Sequence, residues 1–100
     1  MKGKELEGRP AGYAAVVQVR IEPDSDPSHR HEVLQAFVVP EIKAHPGYLR
    51  GQWMNDREGT GLCLVVFDTE ANARAGLEVL VRPGGPEILG QRVYEIEVEA

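Results

Sequence analysis

The sequence predicts an α+β fold of ferredoxin-like β-α-β-β-α-β type: a four-stranded antiparallel sheet with two helices on one face. Three observations carry this. Residues 13–21 and 92–99 alternate with strand period, and two other stretches carry apolar residues at helical spacing. Between those helical stretches lie two strand-like runs joined by Arg57-Glu58-Gly59-Thr60, a hairpin turn. Right-handed crossovers then bring both helices to the same side of the sheet.

Composition sets the outer bounds. In 100 residues, 42% are apolar and 27% charged, which suits one domain with one core and excludes disorder as the main state. No apolar run approaches the ~20 residues that span a bilayer, so no membrane is expected among the partners. The start, Met1-Lys2-Gly3-Lys4-Glu5, has no apolar stretch behind it, and no secretory leader is expected. Eleven basic residues against sixteen acidic ones leave a net charge of −5, with the arginines scattered singly. That pattern argues against nucleic acid as a partner. Cys63 is the only cysteine and lies in an apolar run, which reads as a buried core residue in a reducing, cytoplasmic setting.

The elements follow in order. Residues 1–12, with Gly3, Gly8, Pro10 and Gly12, read as a flexible arm before a single domain over 13–100. In the first strand, Tyr13, Ala15, Val17, Val19 and Ile21 share one face. Asp26-Pro27 reads as a helix N-cap followed by proline at the first helical position. The stripe Leu34, Phe37, Val38, Ile42, His45 continues that helix, and Pro40 should kink or break it near Ala36–Pro40.

The hairpin comes next, Tyr48–Asp56 against Gly61–Phe67. A four-residue loop sets Trp53 opposite Leu64 and Met54 opposite Cys63. On that register Gly51, Trp53, Asn55, Leu62, Leu64 and Val66 share one face, and Cys63, Val65 and Phe67 lie on the other. An odd loop would slip the pairing and exchange the faces. Asp68 or Thr69 caps a second helix with the stripe Ala73, Gly76, Leu77, Leu80, Val81. The last strand, Arg92–Glu99, turns Tyr94, Ile96 and Val98 inward.

Two helices cover one side of a sheet, yet Gly61–Phe67 is apolar on both. Strands of that kind are covered on both faces. A second copy of the chain is the economical cover for the side carrying Cys63, Val65 and Phe67, with Val16 and Val93 beside them, so a homodimer is expected.

The run Pro46-Gly47-Tyr48-Leu49-Arg50-Gly51-Gln52-Trp53, then Asp56-Arg57-Glu58-Gly59, then Val65-Val66-Phe67-Asp68-Thr69-Glu70-Ala71 resembles the dimeric α+β barrel superfamily. Within it, the nearest pattern is the antibiotic-biosynthesis-monooxygenase-like (ABM-like) branch. The resemblance implies a dimeric barrel and, for chemistry, cofactor-independent oxygenation of phenolic or polycyclic small molecules. Haem-degrading members carry Asn on the first strand, Trp at the end of the third and His ten residues later. The corresponding positions here read Gln18, Phe67 and Leu77, so haem is not implied, and no cofactor is expected. The implied cavity lies between sheet and helices, where the expected register places Trp53, Asn55, Tyr13 and Tyr94 as substrate-binding residues. His45 is then the candidate general base.

Each of these residues also has a structural reading. Trp53 can fill the core, Asn55 can serve the turn, and His45 can meet the last carbonyls of its helix. His29 and His31, two apart on a helix, point about 200° from one another and do not share one metal ion. The sequence thus leaves three functions open: a cofactor-free monooxygenase, a non-catalytic dimer binding a small hydrophobic or aromatic ligand, and a structural dimer.

Overall fold

The structure, a computed structural model, describes residues 11–100. Residues 1–10 of the expected arm lie outside the described residues. Gly12, expected in the arm, instead opens the first strand, and the Ala11 amide already donates to the Ile96 carbonyl at 3.2 Å.

Four strands form one antiparallel sheet: β1 (Gly12–Arg20), β2 (Tyr48–Asn55), β3 (Thr60–Phe67) and β4 (Ile88–Ile96). Their order is β2-β3-β1-β4. The two most apolar strands, β1 and β3, are central, and the more polar β2 and β4 form the edges. This arrangement is compatible with a ferredoxin-like fold. The last strand begins four residues before the expected Arg92, because Ile88 pairs with Val19 across an irregularity at Gln18/Val19.

The first helical segment begins as the sequence predicts. The Asp26 side chain accepts the Ser28 N–H at 3.0 Å and Pro27 takes the first helical position. It runs as α1 (Pro27–Val33), a π-helical turn at Leu34–Val38, and α2 (Val39–Lys43). Pro40 therefore neither breaks nor ends the helix. It offers no N–H to the carbonyl four residues back, and its ring needs room there. Widening the preceding turn, where the Val39 N–H reaches the Leu34 carbonyl, supplies that room. The second helix, α3 (Glu70–Leu80), is capped by Thr69, whose side chain accepts the Asn72 N–H at 3.1 Å.

Both helical segments pack on one sheet face. Ile42 of α2 and Ala73 of α3 bury with Ala15, Val65 and Phe67. The Phe67 ring tip lies so close to Gly76 that any side chain at that helix position would overlap it.

The hairpin corrects the expected register. Asn55 pairs with Gly61, Trp53 with Cys63 and Met54 with Leu62, so five residues separate the last pair. The cause is local: one Asp56 carboxylate oxygen accepts the N–H groups of Glu58 at 2.7 Å and Thr60 at 3.0 Å. Arg57 and Gly59, both at positive φ, let the chain close around that oxygen. The odd loop exchanges the faces of β3. Cys63, Val65 and Phe67, expected to meet a second subunit, face the helices, and Leu62, Leu64 and Val66 take the open side. Val93 joins the core while Tyr94, expected inward, pairs with Ala14 on the open side and is 51% exposed.

The open face is thus built from Val16, Leu62, Leu64, Tyr94 and their neighbours. The residues after β4 turn across it, and Glu99 reaches Arg50 on the far edge strand to form an ion pair.

Candidate functional site

α1 and the π-helical turn bury no residue, whereas α2 is seated on the sheet through Ile42. The first half of the segment therefore stands off the sheet, and a cleft of about 630 Å³ opens beneath it. Val17, Val19, Trp53 and Cys63 of the sheet form its floor. Leu34, Phe37 and Val38 of the π-helical turn form its roof, and Leu80 with the Pro83–Pro86 segment closes one end. Phe37 is 67% exposed, an unusual state for a phenylalanine, and it sits at the rim of this space.

Trp53 is half-buried, with its indole beside Gly51 two residues earlier on β2. A β-carbon at Gly51 would come within 3.1 Å of the ring, so the glycine lets the indole lie along the sheet. Asn55 lines the cleft and serves the turn as well: its Oδ1 accepts the Arg57 N–H at 2.9 Å. Of the five residues singled out from the sequence, these two come together.

The other three stand elsewhere. Tyr13 is on the helix-covered face but packs against the core rather than lining the cleft. Tyr94 is on the opposite face of the sheet. His45 lies past the end of α2, in a turn where its carbonyl accepts the Tyr48 N–H at 3.3 Å. Its ring meets Phe67 edge-on with centroids 6.3 Å apart, and it does not line the cleft. The buried His45 Nδ1 has no hydrogen-bond partner among the described residues.

Sequence reasoning passed over the cleft's polar rim. Arg30, Leu34, Phe37 and Glu41 recur at i, i+4, i+7 and i+11, a single helical stripe, and all four line the cleft. The mixed polarity of that stripe was the available signal. Glu41 is paired across the cleft end with Arg82, at 2.7 Å. On the floor, burial pushes the Cys63 thiol up to about 11, so it is a neutral thiol near pH 7 and not a nucleophile.

Among the described residues, no three His, Cys, Asp or Glu side chains are placed to hold a metal ion. No helix among them is long and apolar enough to cross a membrane. Set against protein-family models, curated proteins and solved structures, the chain matches none.

Proposed function

We propose that this is a ferredoxin-like, dimeric α+β barrel protein of ABM-like type whose cleft binds a small, ring-containing molecule. The observation that carries the reading is the cleft itself: an apolar space between sheet and raised helix with one large aromatic, Trp53, in its floor. Sites of this kind bury ring systems against aromatic walls and orient them with a few polar groups. The apolar open face, with Leu62, Leu64 and Tyr94, supports pairing with a second copy.

Binding is favoured over catalysis because His45, the base expected for phenol activation, is not in the cleft. One observation keeps a monooxygenase as the second reading: His29 lines the same space and supplies an imidazole for a phenolic proton.

Trp53 is the only tryptophan, so its emission reports on the site directly. Titration with 1-naphthol should change that emission saturably, and Trp53→Ala should weaken binding, measured by calorimetry, while the far-ultraviolet circular dichroism is retained. If Trp53 only fills the core, the substitution costs about 3–5 kcal/mol of stability and no compound perturbs the emission. Absence of any binding signal at millimolar ligand overturns the proposal. Oxygen uptake with bound naphthol would select the catalytic reading over the binding one.

A further inference from the structure

One charged group in the cleft has no opposite charge to meet. Arg20, Arg50, Arg74 and Arg82 each form an ion pair with a glutamate. Arg30, Arg57 and Arg92 have no carboxylate partner among the described residues, and of these three only Arg30 is shielded from full exposure. Its guanidinium is held by a neutral acceptor, with Nη1 donating to Ser25 Oγ at 3.0 Å. That bond uses one of five N–H donors.

Arg30 borders both the main cleft and an adjoining hollow of about 310 Å³, and Asn55 borders the same two spaces. Because the Asn55 Oδ1 already accepts the Arg57 N–H, its amide nitrogen is left as a donor. The carboxylates lining the main cleft are engaged: Glu41 with Arg82, and Asp26 with the Ser28 N–H as the helix cap. On the smaller hollow Glu22 and Arg57 are exposed and offset each other in charge. Beside the apolar floor, then, stand a planar five-donor cation and an amide donor.

We propose that the ligand of this cleft is an aromatic carboxylic acid, its ring system against Trp53 and its carboxylate received by Arg30 and Asn55. The proposal rests on the reading of the cleft as a binding site and narrows it to a chemical class. The flat guanidinium fork matches the two oxygens of a carboxylate, and partial withdrawal from water strengthens the pair over a surface one.

Calorimetric titration with 2-naphthoate and with neutral 2-naphthylmethanol tests it. The wild-type protein should bind the acid about tenfold more tightly than the alcohol, the worth of one charge-assisted hydrogen-bonded contact. Arg30→Gln should abolish that preference, weakening the acid far more than the alcohol. Arg30→Lys should keep part of it, and Arg92→Gln, on an exposed arginine outside the cleft, should keep all of it. Equal affinity of the two probes for the wild-type protein, or a preference that survives Arg30→Gln, overturns the assignment to Arg30 and leaves the cleft reading standing. Failure of both probes to bind overturns both.

Discussion

Gly76→Ala is a severe perturbation for a one-carbon change. A β-carbon at Gly76 would stand 2.3 Å from Phe67 Cζ, 2.8 Å from Cε1 and 3.0 Å from Cε2. Carbon atoms in ordinary contact are ~3.5–4.0 Å apart, so ring and helix must separate by more than ~1 Å. Phe67 is 0% exposed, and His45 and Tyr48 meet its ring edge-on with centroids 6.3 and 6.5 Å away. The ring therefore has no open side to move into. Overpacking of this sort costs about 1–3 kcal/mol, and a clash across the whole ring tip belongs at the upper end. Alanine returns up to ~1 kcal/mol of helix propensity over glycine. The net loss is about 1–2 kcal/mol, or a fall of roughly 4–8 °C in Tm for each kcal/mol. Urea and thermal unfolding, followed by Trp53 emission and circular dichroism at one protein concentration, measure it. Phe67→Leu shortens the ring side of the contact, so Gly76→Ala should cost far less in that background, a coupling that distant sites do not show. Gly76→Ala alone proving as stable as wild type, or more so, would refute the packing of α3 on β3.

Three further predictions concern the hairpin, the buried thiol and the open face. The N–H groups of Glu58 and then Thr60 hold the Asp56 carboxyl below its ordinary value of 3.8. Its stabilisation is thus complete above pH 3.8 and lost as pH falls through the lowered value, and the stability gap between wild type and Asp56→Ala should close in acid. Burial raises Cys63 from 9.0 to about 11, so its contribution is intact below pH 9.0 and lost as pH rises toward 11. At pH 8 iodoacetamide should alkylate Cys63 slowly in the native protein and quickly in urea; fast native alkylation would contradict its burial. Leu64→Lys should weaken the proposed pairing of two copies, seen by light scattering, and keep the fold, whereas Val65→Lys should unfold the chain because Val65 is in the core. The reverse outcome would restore the even hairpin register.

On β1 the sequence period assigned the faces, whereas on β4 the same period turned Tyr94 to the wrong side. Tyr13, Ala15 and Val17 were read on the helix-covered side and lie there. The Ala73-Gly76 stripe and both helix caps were legible for the same reason, since each depends on residues within one or two turns. The third strand was not legible in this way. Its residues are apolar on both sides, so a period of two carries no preference between faces. Loop parity chose the face, and loop parity came from one Asp56 oxygen taking two N–H groups.

Residues acting within a turn or two of one another were therefore determined by the sequence itself: the element order, the caps, the stripe of the second helix and the faces of β1. The tertiary structure determined the rest, because it depends on groups far apart in the chain. Trp53 and Asn55 share a cleft with Arg30 only because α2 is seated through Ile42 while α1 is held off the sheet. Proline at position 40 announces a disturbance in that helix. Which half stays seated is chosen by the apolar side chains that reach Phe67 and Val65, and those are brought within reach only when the sheet has formed.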